Sequence, residues 1–257
     1  MRILLTNDDG IDARGLAIAE RAARAITDDV WVVAPLHEQS GVHRAVSLLN
    51  PLRIRRADER RFAVQGTPAD CVIVAFQHVL ADHPPDLVVS GINRGPNIGD
   101  DVLYSGTTAA AIEGAIHGAR AIAWSQAITG ADVKYWSSAE HLAEPMLRRL
   151  IELRWPGDTY LNVNFPDVPP SEFRGLRCVK PGGRWNTLMT LKHGTDGRGI
   201  PYHWLALTLD PIEFPPDTDM SELARGFATL SPIQFRRCPE DALASLAGAF
   251  DTKPFVV

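Results

Sequence analysis

Arg2-Ile3-Leu4-Leu5-Thr6-Asn7-Asp8-Asp9-Gly10 opens the chain. Its apolar run has no polar alternation, which is the pattern of a strand buried on both faces in a parallel sheet. Two carboxylates follow at once, where that strand should end. A parallel sheet binds ligands at this edge, outside the carboxyl ends of its strands. Neighbouring carboxylates repel each other unless a cation lies between them, and hard divalent ions prefer oxygen ligands. The opening stretch therefore predicts an α/β protein with an oxygen-lined metal site.

Working outward, Ala13 to Ile26 reads as an amphipathic helix and Val30 to Ala34 as a second apolar strand, stopped by Pro35. Leu36 to Arg44 is a polar loop containing Ser40-Gly41. Val46 to Leu52 and Phe62 to Gln65 are expected to form a short antiparallel pair around Arg53 to Arg61. Gly66-Thr67-Pro68-Ala69-Asp70 is a helix start, with Thr67 capping and Pro68 at the first helical position. Cys71 to Leu80 continues that helix. Leu87 to Ser90 is an inner strand carried by Gly91-Ile92 to Asn93. Gly106 to Gly118 is an alanine-rich helix, Ala121 to Trp124 a strand, Ser137 to Leu153 a helix and Tyr160 to Phe165 a strand.

From about Pro169 prolines and glycines multiply. Short strands are expected at Leu176–Val179 and Trp204–Leu209, with turns at Gly182-Gly183-Arg184 and Gly194 to Gly197. Ser221 to Phe227 and Glu240 to Phe250 are expected to be helical, with Ala228 to Ile233 between them. The strand–helix alternation to about residue 166 implies one Rossmann-like unit. Residues 169–257 then cover the site or join another subunit.

The 257 residues are enough for one large α/β domain. A hydrophobic share of 45% argues against broad disorder, and a net charge of −5 argues against a general nucleic-acid binder. Cys71, Cys178 and Cys238 are widely separated and make neither a disulfide framework nor a zinc–sulfur motif. Cys71 falls in an apolar helix pattern and reads as a small core residue. No apolar run reaches membrane-span length, and no signal-peptide pattern precedes the first strand. A cytoplasmic enzyme without a DNA or membrane partner is the expectation.

The strand ends bring polar groups to one edge. Asp8 and Asp9 come from the first strand, Ser40 from the loop after the second, and Asn93 from the later inner strand. Two carboxylates, a hydroxyl and an amide carbonyl suit magnesium or manganese. Asp8 and Asp9 are the candidate catalytic residues. The loop Gly91 to Asp101 then leads through Tyr104 to Ser105-Gly106-Thr107-Thr108 at a helix start, which favours an anion. Asn97, Ser105, Gly106 and Thr107 form the candidate phosphate cradle. This is neither a Walker loop nor a GxGxxG fingerprint.

Plainer readings stand beside these. An isolated Asp-Asp-Gly is more often a solvated turn, and Asn93, Ser105 or Thr107 can serve simply as caps. Ser40 has the least to distinguish it, because loop serines are ordinary. His43 and His193 are candidate proton donors, with surface or interface roles the blander alternative. Trp136, Trp185, Tyr202 and Trp204 are candidate stacking residues, with core or interface packing the simpler reading.

Taken together, Arg2 to Gly10, Val33-Ala34-Pro35 with Ser40-Gly41, Gly66 to Val72 and Ser90 to Thr107 resemble the stationary-phase survival protein SurE family. The resemblance is strong through residue 125 and thinner beyond, where Asp196 to Gly199, Tyr202-His203-Trp204 and Thr218-Asp219 resemble later landmarks. It implies a three-layer Rossmann-like fold with a mainly parallel central sheet and a smaller carboxyl-terminal extension or hairpin. It also implies a catalytic core at 1–168, with 169–257 supplying the hairpin, oligomerisation and carboxyl-terminal segment. Members are metal-dependent phosphomonoesterases acting commonly on nucleoside 5′- and 3′-monophosphates. By that resemblance Asp8, Asp9, Ser40 and Asn93 match the ligands of one divalent ion per subunit, Mg2+ or Mn2+. Asn97, Ser105, Gly106 and Thr107 match the phosphate-binding group, and homodimers or homotetramers are implied. Leu36-His37-Glu38-Gln39 departs from the basic, asparagine-containing run usual before the loop serine, and Trp124 is bulkier than the usual residue. A phosphatase for a sugar phosphate or biosynthetic intermediate, and a noncatalytic phosphate-binding protein, are the alternatives.

Overall fold

Ile3–Thr6 (β1) forms the middle of a twisted sheet, buried on both faces as its unbroken apolar run requires. The structure, a computed structural model, describes residues 1–130, 132–183, 187–209, 214–236 and 238–250. After β1 come a helix at Arg14–Arg24 (α1), a strand at Val30–Pro35 (β2) and a hairpin of Ile54–Asp58 (β3) with Arg61–Val64 (β4). Pro68–Val74 (α2) continues into a wider turn of helix over Ala75–Val79. Leu87–Arg94 (β5), Gly106–Ile116 (α3), Arg120–Gln126 (β6), Trp136–Ile151 (α4) and Thr159–Phe165 (β7) complete the alternating series. Leu176–Cys178 (β8), a hairpin of Thr187–Thr195 (β9) and Pro201–Leu209 (β10), Asp219–Ala224 (α5), Ala228–Gln234 (β11) and Glu240–Phe250 (α6) follow.

The larger sheet has the order β3-β4-β2-β1-β5-β6-β7-β11-β8. The pairings from β4 through β7 are all parallel, whereas β3 and β11 run antiparallel to β4 and β7. The separate β9–β10 hairpin is antiparallel. The chain leaves β1 towards β2 on one side and later returns to β5 on the other. The crevice between β1 and β5 is thus a topological switch point, where open α/β sheets bind ligands.

Alternation along β1 divides the core into layers. Ile3 and Leu5 face Leu16, Ile18, Leu142 and Leu147 of α1 and α4, whereas Leu4 faces Cys71, Val72 and Ala110 of α2 and α3. Cys71 is a buried core thiol, as expected, and all three cysteines are free. Small residues bring helices close to the sheet. A Cβ on Gly114 of α3 would lie 2.6 Å from a Val88 methyl, and one on Gly15 of α1 would lie 1.8 Å from the Ile92 carbonyl oxygen. No helix among the described residues is long and apolar enough to cross a membrane.

The first antiparallel pair differs from expectation. Val46 to Leu52 forms no strand, Leu48 and Leu49 are exposed, and β3 lies further on at Ile54–Asp58. Pro51 lacks the N–H that a ladder needs. Asp70 instead claims the upstream segment, accepting the Ser47 backbone N–H at 3.0 Å and the Ser47 hydroxyl at 2.7 Å. The same carboxylate closes the Thr67 capping box at the start of α2. Strand β9 was not among the expected elements, while β8 and β11 return to the main sheet. Trp185 lies outside the described residues.

Candidate metal and phosphate site

Asp8 and Asp9 leave the end of β1 in a turn braced from several directions. The buried Asn7 side chain donates to the Gly10 carbonyl at 2.8 Å. The Asp8 carbonyl accepts the Gln39 N–H at 2.7 Å, which ties the loop after β2 to the same turn. Asp8 is buried, and its carboxylate accepts the hydroxyl proton of Thr107 from the first turn of α3. A Cβ on Gly106 would stand 2.9 Å from the Asp8 Cβ and Oδ2, so the start of α3 reaches the carboxylate only because residue 106 has no side chain.

Burial dominates the electrostatics. It pushes the Asp8 carboxyl up to about 7, the Asp9 charge adds to the rise, and the Thr107 hydrogen bond opposes it. Asp9 is also raised, chiefly by burial, with Glu38 adding to the rise and the Arg94 backbone N–H counteracting it from 3.0 Å. Arg94 turns its guanidinium to Asp132 at 2.8 Å, leaving neither site carboxylate in an ion pair among the described residues. Nor do the described residues hold a cluster of three His, Cys, Asp or Glu side chains suited to a metal. An ion held here would have to draw on neutral oxygens beside the two carboxylates.

Asn93 reaches the site through a distortion of β5. Ser90 pairs with Ala123 and Asn93 with Ser125, so two residues of β5 oppose Trp124 alone. Such a bulge re-aims the side chains beyond it. Gly91 makes it feasible, with φ at +131° and a position where a Cβ would lie 2.2 Å from the Trp124 carbonyl oxygen. The Asn93 amide donates to the Gly95 carbonyl at 2.9 Å, leaving its own carbonyl as the acceptor. Ser40 is exposed and donates to Glu38 at 2.9 Å, so its tie to the carboxylates runs through the loop held by Gln39. The structure brings Asp8, Gly106 and Thr107 into direct contact, ties Asp9 to the backbone beside Asn93, and leaves Ser40 at the rim.

The expected phosphate group divides by role. Ser105 caps α3, its hydroxyl oxygen accepting the Thr108 N–H at 3.1 Å. Asn97 is buried and donates its side-chain amide to Ser125 at 2.7 Å. Its backbone N–H goes to Asn164, and its carbonyl accepts Asn162 at 2.7 Å and Asn164 at 3.0 Å. Asn162, Asn164 and Ser125 were not expected at the site. Their signal was available in Asn162-Val163-Asn164, where two amides share one face of a strand whose residues are all buried. Asp219, also unexpected, accepts the Gly99 N–H at 3.0 Å and the Gly182 N–H at 2.8 Å, pinning the loop after Asn97 to the start of α5.

The histidine and aromatic candidates separate likewise. Burial, first, and the Arg44 charge lower the pKa of His43, with the Ser105 backbone opposing them. His193, Tyr202 and Trp204 stand on the β9–β10 hairpin. Trp136 packs against the core shared by α1 and α4, with Arg14 over its ring.

The family described as Survival protein SurE matches residues 3–187. The chain belongs to the SurE family. Curated SurE relatives extend the likeness over the whole chain. One from Caulobacter sp. (strain K31), named 5′-nucleotidase SurE, is 44% identical over 257 residues, covering 99% of this chain and 96% of its own. Another of that name, from Methylobacterium nodulans, is 47% identical over 253 residues, covering 97% of this chain and 100% of its own. The crystal structure of the SurE protein from Aquifex aeolicus superposes with a TM-score of 0.83 at 31% identity, covering 97% of this chain and 99% of that one. The three-layer α/β fold that the family resemblance implied is thus the SurE fold.

Proposed function

We propose that the chain hydrolyses nucleoside monophosphates to nucleoside and inorganic phosphate, using one divalent cation, Mg2+ or Mn2+, per subunit. The observation that carries this reading is the buried Asp8 beside Asp9 at the β1–β5 crevice, with no ion pair among the described residues and in contact with the start of α3. Family membership and the 5′-nucleotidase names of the relatives support the same activity.

Asp8, Asp9, Asn93 and Ser40 would hold the cation. When bound, it would neutralise phosphoryl charge and make water a better nucleophile. Thr107 holds Asp8 in place and favours its charged form through the hydroxyl hydrogen bond. The Arg94 backbone N–H does the same for Asp9. The first turn of α3 offers its backbone N–H groups and dipole to a phosphate, and Gly106 keeps that approach open. Ser105 and Asn97 border the anion position, with the Asn162–Asn164–Ser125 network keeping Asn97 fixed.

Residues 169–257 are assigned to subunit association as a dimer or tetramer and to completing the single domain. A reducing cytoplasm suits the three free cysteines. Glu38 adds a like charge near Asp9, which supports a second reading in which the preferred monoester is a sugar phosphate or a biosynthetic intermediate. The test is phosphate release from a panel of nucleotides and other monoesters at fixed Mg2+ or Mn2+. Nucleoside monophosphates should be turned over fastest, and release should stop with a chelator. A panel with no hydrolysis at all would leave only a binding role and overturn the proposal.

A further inference from the structure

The β9–β10 hairpin carries a second group of ligand atoms, of a different chemical kind. His193 and His203 are directly opposed in its register, and both are exposed. Their Nδ1 atoms converge to 2.7 Å, with the rings edge to face at 84°. At that separation one Nδ1–H donates to the lone pair of the other, so at least one ring presents an unprotonated nitrogen at the meeting point. We propose that His193 and His203 form a bidentate site for a d-block divalent cation such as zinc, separate from the oxygen site between β1 and β5.

The hairpin is built to keep the two rings together. Its tip is closed by Asp196, which accepts the N–H groups of Arg198 at 2.8 Å and Ile200 at 2.9 Å. The Asp196 N–H returns to the Ile200 carbonyl at 2.9 Å. These bonds fix the register in which residue 193 faces residue 203. On the opposite face Tyr202 lies across Gly194, where a Cβ would stand 2.5 Å from the ring, and Trp204 meets Tyr202 edge to face. Lys192 shares that aromatic face by alternation and points away from the histidines. The next cross-strand pair on the histidine side is Leu191 with Leu205, both exposed. Among the described residues, no ion pair engages either imidazole.

Binding is chemically balanced without any further reactant. The ring that donates from Nδ1 moves that proton to Nε2 through solvent, and both Nδ1 lone pairs then face the cation. If the pair carries an extra proton, one proton is released. Water completes the shell, because the face supplies no further strong ligand among the described residues. Imidazole nitrogen suits zinc, copper and nickel, whereas the Asp8–Asp9 oxygen set suits magnesium and manganese. The two sites therefore select different cations when both kinds are present.

The test is a zinc titration of the full chain in excess Mg2+, competed against a chromogenic chelator, with histidine ring-proton NMR signals followed in parallel. Wild-type protein should take up a zinc equivalent per chain that Mg2+ does not displace. His193→Ala and His203→Ala should each lose it, and His203→Ala should do so while keeping Mg2+-supported phosphate release, which also reports that this variant is folded. Asp8→Asn should keep the zinc equivalent and lose phosphate release. Absence of such zinc uptake in wild type, or uptake unchanged in both histidine variants, would overturn the proposal. So would its loss in Asp8→Asn alone.

Discussion

Burial moves the Asp8 carboxyl from its ordinary 3.8 to about 7, and that shift sets the behaviour of the chelator-treated protein. The folded state holds this proton more tightly than the unfolded chain does. Its stability contribution is therefore fully present at low pH and declines as pH rises from the unfolded value through the folded one. The shift corresponds to roughly 4 kcal/mol between those limits. Thermal unfolding of chelator-treated protein should show a Tm that falls over this window, with Mn2+ or Mg2+ restoring it near neutrality. An identical pH slope in Asp8→Asn would exclude Asp8 as its source. Thr107 offers a finer probe, since Val keeps its shape and removes the hydroxyl that bonds the carboxylate. Hydrogen bonds to charged groups contribute about 1.5–3 kcal/mol, so Thr107→Val should weaken cation binding by about tenfold to a hundredfold. Calorimetric titration checks this, and an unchanged affinity would remove Thr107 from the site.

Helix α3 shows how an element converts small residues into a site. Its inner surface carries Gly106, Ala109, Ala110 and Gly114, all buried against neighbouring elements. A Cβ on Gly106 would press on Asp8, whereas one on Gly114 would press on Val88 of β5. Gly106→Ala should suppress phosphate release and cation binding with the fold retained. Gly114→Ala should lower unfolding stability by about 1–3 kcal/mol through overpacking while leaving cation affinity nearly intact. Denaturant unfolding and cation titration on both variants separate the outcomes, and identical effects would refute the division. The sequence made α3 and β5 legible because continuous small or apolar runs have few other uses. It misplaced β3, whose residues are exposed along the whole strand and so carry no burial alternation. The Val46–Leu52 run looked more like a strand, yet the long-range hold of Asp70 on Ser47 decided its conformation.

Across the whole molecule, the carboxyl-terminal part reaches back to the loop that borders the site. Asp219 accepts the N–H groups of Gly99 and Gly182, while Ile98 packs with Met220 and Leu223. Asp219→Ala would strip both N–H groups of their acceptor, at about 1–3 kcal/mol for each buried group left unpaired. It should lower stability and raise KM for the phosphate ester, because Asn97 and Ser105 flank the released loop. Unchanged KM would confine Asp219 to stability. Local strand-end chemistry made Asp8, Asp9 and Asn93 legible in the sequence. Asp219 was not, and the Asn162–Asn164 pair showed as two amides on one strand face without showing what they hold, because these contacts span 120, 65 and 67 residues. The most direct test of the account as a whole is Mn2+ binding, followed by the electron paramagnetic resonance of the free ion in wild type and Asp8→Asn. The account predicts an equivalent bound per wild-type chain and its loss in Asp8→Asn with the fold intact. Equal binding by the two proteins would contradict it.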